Sequence, residues 1–448
     1  MPPRRRLRLQ IPSLHPIAPA WTLRLTFNSR SILPGPDETT VRAGLELLSS
    51  RTVRSRWPIL GLVTVAHALG ALTALAVAPL APFLLESLTL SRMQVGLFLP
   101  AVYLGGVLMA LPAGWFTDRL GVRVTFALGQ LLVGAMITLA AWSPDFSLLL
   151  VMLVLGGFGF SVLNPATGRA VVEWFPPRER GIAMGVKQTG LTLGGLTAAL
   201  LLPPIARGWS WRHALATAGL LSIFSAVLVA IFYRSQPAPA TPSPVERPRL
   251  SELGEFLRRP PILVVFGCGL ALSVAQSSLL AYLVLYAKDS FDVSAVRAAQ
   301  LLAIAQVGGT VSRVLWGVAS DRSFGGRRRP GVVASAAIGA MSYATLALGS
   351  HLPVWLAYPL AFVAGAGAFG WVGLYFALVA EIGGPRHAGL LTGAATACSW
   401  SGTLIGPPVF GLVLEATGGY AAPWLILTAV ALAVVLTLPR LSPLVQRG

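Results

Sequence analysis

The sequence predicts an all-α membrane protein, with twelve transmembrane helices in two six-helix bundles. Three observations carry this. Of 448 residues, 55% are hydrophobic and only 11% are charged, against about 25% charged in an ordinary soluble domain. Apolar runs of about 20 residues, long enough to cross roughly 30 Å of hydrocarbon, recur through most of the chain. A charged motif around Asp118 also returns about two hundred positions later, around Asp321. The chain therefore reads as two homologous halves.

The apolar runs lie near 58–83, 95–116, 124–142, 147–173, 181–205, 212–233, 261–287, 298–319, 330–350, 353–380, 388–414 and 420–439. Helix is required because lipid leaves the backbone no partner outside the segment, and barrel strands would be shorter and alternating. Between the sixth and seventh runs stand Pro237, Pro239, Pro242 and Pro244. Proline cannot continue a helix, so this stretch reads as a semi-stiff linker, with Leu250–Leu257 as a short interfacial helix. The expected organisation is a basic, disordered N-terminal extension at 1–56, a first bundle at 57–233, a cytoplasmic linker at 234–260, a second bundle at 261–440 and a tail at 441–448.

A net charge of +18 would point to nucleic acid in a soluble protein. Topology supplies a simpler cause, since cytoplasmic loops accumulate Arg and Lys, and no nucleic-acid partner is expected. With both termini cytoplasmic, the outward loops carry only Arg92, Arg207, Arg212, Lys288 and Arg297. The reverse orientation would put Arg327, Arg328 and Arg329 outside. The expectation is a monomer in the lipid bilayer of a bacterial inner (plasma) membrane. Residues 1–56 hold ten arginines and no apolar span. They read as a disordered tail or a start codon placed too far upstream, with a lipid-bound arm or a targeting peptide as alternatives.

Enzymatic readings find little. Cys268 and Cys398 both lie in apolar runs, with neither disulfide nor metal spacing. No phosphate-binding glycine loop is present, so no metal, cofactor or ATP-driven step is expected.

The first charged motif comprises Gly114, Asp118, Arg119, Gly121 and Arg123; the second has Gly317, Asp321 and Arg322, then an insertion before its next glycine. Glycine permits a sharp turn at a helix end, and the aspartate can pair with arginines of a neighbouring helix. A second repeated pair follows: Glu173 with Arg180, and Glu381 with Arg386 and His387. A loop that only satisfies the inside-positive bias is the alternative. The two motifs resemble the signature of the major facilitator superfamily between its second and third helices, with the weaker copy between the eighth and ninth. The resemblance covers about 58–440. It implies the major facilitator fold and alternating access, with the charged loops clamping the cytoplasmic side in the outward-facing state. It also implies that spans three, six, nine and twelve lie outermost, as their nearly wholly apolar sequences suggest.

Shared features read as machinery, so specificity is sought in what one half has alone. Only Lys187 and Lys288 among 34 basic residues are lysine. Lys187 falls inside the fifth span, where a charge is costly and usually faces a cavity; the matching position in the second half is Ala395. It is a candidate anion-binding or coupling residue, and a snorkelling lysine paired to Glu173 is the alternative. Its helix continues along small residues, Ala183, Gly190, Gly194 and Ala198. Arg169 stands one turn before Glu173, so an ion pair is its default and substrate contact the alternative. Arg313 is assigned to the second loop's network. His67, mid-span in the first helix, suits a proton carrier, although a hydrogen-bonded core histidine is the commoner case. Asn164, Gln188, Gln276, Tyr282 and Gln306 can hydrogen-bond a solute; Trp371, Tyr375 and Trp400 can wall it.

No carboxylate stands mid-span: Glu173, Glu381 and Glu415 all lie near span ends. The antiporter-like Gly-Pro pattern appears at Gly406 and Pro407 in the eleventh span rather than the fifth. Both points weigh against an exporter of cationic drugs. The stretch from Asn164 and Pro165 to Gly185 resembles the anion:cation symporter and oxalate/formate-type branches. The expected function is secondary transport of a small organic anion with protons. A proton-coupled exporter and a non-transporting sensor are the alternatives.

Overall fold

The computed structural model describes residues 38–176, 179–235 and 250–441. Most of the expected N-terminal extension, the proline-rich part of the linker and residues 442–448 lie outside the described residues. Residues 1–54 form one unit, and residues 55–448, which hold the membrane spans, form another. The helices are α1 (Glu38–Ala74), α2 (Val77–Ser87), α3 (Arg92–Val95), α4 (Phe98–Ala140), α5 (Phe146–Trp174), α6 (Arg180–Gly208), α7 (Trp211–Phe232), α8 (Leu250–Leu257), α9 (Pro260–Phe291), α10 (Ala295–Arg322), α11 (Arg329–Leu346), α12 (Val354–Thr417) and α13 (Ala421–Thr437). Helix begins at Glu38, well inside the extension expected to be disordered, in a stretch rich in the helix formers Ala, Leu and Glu.

Eleven stretches among the described residues are long and apolar enough to cross a membrane. The remaining expected span, the ninth, is α11, only 18 residues long, whose many Ala, Gly and Ser residues lower its apolarity. The first span is broken between α1 and α2, because Pro79 lacks the amide that would reach the Leu75 carbonyl. Two pairs of spans are joined without a loop. In α4 the chain turns at Gly121 (φ 76°), and in α12 at Gly384 (φ 60°), a region of backbone space that only glycine enters freely. Gly114 and Gly317, which carry the motif, lie within helices instead.

Four helices start on a side-chain cap, each accepting a backbone N–H: Ser91 from Gln94, Asp145 from Leu148, Ser210 from His213 and Ser294 from Arg297. All four caps fall at one end of the helices, opposite the Asp118 turn. Such caps satisfy amides left unpaired in the first turn.

Lipid supplies no hydrophobic drive between helices, so close packing of small residues must hold them. Gly105 of α4 and Gly157 of α5 face each other so closely that a Cβ on either would overlap a backbone carbonyl of the other helix. On α6, Gly190 and Gly194 receive α1 in the same way, and Ala183 and Ala198 are fully buried. The third span is less apolar inside than its sequence implies. Buried Gln130 donates to the Ala66 carbonyl and accepts from Ser222 at 2.6 Å, tying α1, α4 and α7 together. The predicted linker helix is present as α8. Its Glu252 meets His387 just beyond the Gly384 turn, at 2.6 Å. A buried cluster joins Leu75, Ala78, Leu99 and Ala199 of the first half to Leu279, Tyr282 and Leu302 of the second.

Gly157→Ala tests the close approach. In an isolated helix the change would stabilise by about 1 kcal/mol; here overlap should instead cost about 1–3 kcal/mol and lower the unfolding midpoint in detergent. A raised midpoint would refute the contact.

Candidate substrate site and gating networks

At the end carrying the Asp118 turn, each half builds one network in which a single arginine joins an aspartate to a glutamate. In the first half, Arg169 on α5 donates to Asp118 at 2.6 Å and to Glu173 at 3.1 Å. Tyr233 donates to the other Glu173 oxygen at 3.1 Å; burial, then the Glu173 carboxylate, pushes its phenol pKa up. Arg169, a candidate substrate contact, is thus engaged by Asp118 and by its i, i+4 partner Glu173. In the second half, Arg328 donates to Asp321 at 2.6 Å and to Glu381 at 2.9 Å. The hydrogen bond to Glu381, and then that to Asp321, raise the Arg328 pKa.

The two networks use arginines at non-equivalent positions. Arg328 lay unmarked within a basic run, whereas the motif residue Arg322 is exposed. Arg119 stacks over Trp115, 4.5 Å from the ring centroid, rather than pairing with an acid. Arg123 donates to the Ala230 carbonyl at 2.6 Å, and Arg180 caps the carbonyls of Phe175 and Val172. The Arg386 side chain lies outside the described residues. No ion pair or hydrogen bond among the described residues crosses between the halves at this end.

The opposite end is different, for there the halves are tied. Arg92 pairs with Asp289 at 3.0 Å, and Lys288 with Glu86. Tyr420 donates to the same Asp289 oxygen at 2.8 Å. Glu415 accepts from the backbone N–H of Met93 at 2.8 Å, so a carboxylate of the second half caps a helix of the first. Tyr282 donates to the Arg92 carbonyl at 2.8 Å and stacks on Phe410, 4.5 Å between centroids. Tyr282 therefore belongs to this junction and not to a central site. Beneath it a small cavity lies between the halves, lined by Val77, Ala78, Ala81, Val95, Phe98, Leu99 and Ala281.

Between these ends lies a buried cationic region. Lys187 is 6% exposed, and its ammonium donates to Asn164 Oδ1 and Thr167 Oγ1, both at 3.2 Å. No carboxylate among the described residues pairs with it; Glu173, the alternative partner, is taken by Arg169 and Tyr233. Half-buried Gln188 follows Lys187 on α6. His67 is fully buried and reaches the Lys187 carbonyl. From the second half, Gln306 lies against Gly195 of α6. The helices α6 and α10 run in opposite directions, and seven residues from this contact lie Gln188 and Arg313. At 1.5 Å per residue both stand about 10 Å below it, which puts Arg313 at the depth of Lys187.

Arg313 is not part of the Asp321 network. Its Nε donates to the Phe369 carbonyl at 3.0 Å, while one terminal nitrogen is buried without a hydrogen bond. Across from it stands Tyr103 of α4, whose ring meets Trp400 edge-on at 5.5 Å and Phe160 at 6.0 Å. Gly106 leaves room for Trp400. Trp371 and Tyr375, expected as walls, pack inside the second half: Trp371 donates to the Ala368 carbonyl, and Tyr375 sits against Gly269. Gln276 is half-buried, with its carbonyl oxygen unpaired. Thr167, Tyr103 and Arg313 thus join the region unannounced. Only Thr167, one turn beyond Asn164, had a spacing that marked it.

The Major Facilitator Superfamily model matches residues 63–407. An uncharacterised MFS-type transporter of Mycobacterium tuberculosis is 30% identical over 337 residues, 74% of this chain and 73% of its own length. A hexuronate transporter of Bacillus subtilis is 23% identical over 83% of this chain and 91% of its own. A protein named as a probable sulfoacetate transporter of Cupriavidus necator is 26% identical over 84% and 91%. Among solved structures, a D-xylose-proton symporter aligns with a TM-score of 0.71 at 18% identity, covering 88% of this chain and 99% of its own.

The junction at the opposite end is open to direct test. With Cys268 and Cys398 replaced by serine, a cysteine at Leu99 should react slowly with an impermeant thiol reagent from that face. Asp289→Arg, which sets like charges together, should speed the reaction, and adding Arg92→Asp should slow it again. Equal rates in all three proteins would show that the ion pair does not hold the halves.

Proposed function

Since the chain belongs to the Major Facilitator Superfamily and is an integral membrane transporter of a small molecule rather than an enzyme, we propose that its cargo is an organic anion, taken up with protons by alternating access. One observation carries the anionic reading: Lys187 is buried inside a span of a transport protein, with no carboxylate partner among the described residues. An unpaired charge in a membrane interior is expensive and is normally offset by a ligand or counter-ion. Asn164 and Thr167 orient the ammonium with neutral oxygens, which fix its position without neutralising it. Arg313 offers a second cation from the other half, with an unused donor, beside Tyr103 and Trp400. A solute held between Lys187 and Arg313 would bridge both halves, as alternating access requires.

The ion pairs support a matching account of the cycle. The halves are bridged at the end bearing Arg92 and Asp289, and no ion pair or hydrogen bond among the described residues bridges them at the Asp118 end, which suits a state open toward the charged loops. Under the inside-positive orientation, with both termini cytoplasmic, that is the inward-facing state. The names of the hexuronate and sulfoacetate relatives, both of organic acids, agree with the cationic site.

At unchanged expression, Lys187→Ala should abolish uptake of galacturonate and sulfoacetate into proteoliposomes, together with any stabilisation of the solubilised protein by those anions. Lys187→Arg should retain part of both. Uptake surviving in Lys187→Ala would sink the reading, and stabilisation by lipophilic cations alone would favour an exporter.

A further inference from the structure

His67 is a buried titratable group that anion binding by itself does not use. It lies on α1 with 0% exposure, and its Nδ1 stands 3.2 Å from the Lys187 carbonyl oxygen. A carbonyl can only accept, so Nδ1 carries the hydrogen and Nε2 holds the free lone pair. Nε2 is buried and makes no hydrogen bond to the protein. This imidazole is therefore fixed in one tautomer by the same residue whose ammonium forms the cationic site. Resting on the reading of Lys187 as an anion site, we propose that His67 Nε2 is where the coupling proton binds.

The surroundings give the coupling its sign. The charged group facing His67 from α6 is Lys187, and the two interact electrostatically. From α5 the polar neighbours of that ammonium are the neutral Asn164 and Thr167. Gln130 of α4, also neutral, bonds to the Ala66 carbonyl beside His67. The nearest carboxylate of α5, Glu173, is held by Arg169 and Tyr233 toward the loop end. From the second half, the charged group at the depth of Lys187 is Arg313, which faces Tyr103. A proton on Nε2 therefore enters a region of like charge, where repulsion in a low dielectric is large. An anion on Lys187 removes that repulsion. Linkage makes the effect reciprocal: the anion favours the proton, and the proton favours the anion by the same factor. Cargo and proton then each raise the other's affinity, which is the bias symport requires, and no mid-span carboxylate is needed.

The position suits this role mechanically as well. His67 bonds α1 to α6, two helices held in backbone contact through Gly190 and Gly194, so a charge change on the ring is felt where these helices meet. From the second half, Gln306 meets α6 at Gly195, about two turns beyond Lys187.

The test separates coupling from binding. His67→Asn keeps an amide donor near Nδ1 and His67→Gln a longer one; neither titrates. In proteoliposomes, wild-type uptake of galacturonate or sulfoacetate should be driven by an inward proton gradient and should carry protons with it. Both variants should lose gradient-driven accumulation, while counterflow of the same anion at equal pH persists. Accumulation retained in both variants would overturn the proposal. So would loss of counterflow in both, which would make His67 structural, or wild-type transport that moves no protons. Failure of the Lys187 reading shows separately, as anion-induced stabilisation that survives Lys187→Ala.

Discussion

Hydrocarbon offers no partner to a backbone amide or to a charge, and each level of this structure answers to that fact. It makes every span a helix and sends the charged residues to span ends, where Arg169 and Arg328 each satisfy two carboxylates. It also removes the usual drive for helices to associate. Their contacts must then come from close approach of small residues, as between Gly105 and Gly157, or from buried amides such as Gln130. Against that background, a lysine buried inside a span among neutral oxygens is an exception, and the proposed anion site accounts for it.

The two halves repeat a chemical solution without repeating its residues. Each end-network is an aspartate, an arginine and a glutamate, yet the arginine comes from the glutamate's own helix in the first half and from the start of α11 in the second. What the two halves share is an arrangement in which two carboxylates near a helix turn are held by one cation. The halves diverge where they meet. The Arg92, Asp289 and Glu415 contacts at one end have no counterpart among the described residues at the other, and this asymmetry along the membrane normal is what a one-sided opening requires.

Lys187, His67 and Arg313 give the proposed site an unusual economy. All are basic, so the anion supplies the counter-charge that the protein withholds. A symporter built this way needs no buried acid to carry its proton, provided that the proton and the anion can neutralise each other in place.

Composition and the length of the apolar runs determined the helical membrane fold, because lipid thickness and backbone satisfaction act on any chain locally. The doubled motif likewise determined the two-half architecture, and Lys187 stood out because a charge within a span is rare. Tertiary structure decided the partners. Arg322 looked like the motif's cation, but Arg328 fills the role; Arg313 looked like part of a loop, but faces Tyr103. Trp371, Tyr375 and Tyr282 proved to be packing or junction residues, while Tyr103 and Thr167 came to the site. Spacing along one helix says which residues share a face. Which face meets which is settled only when helices distant in sequence approach, through glycines whose lack of a side chain carries no label of the neighbour they admit.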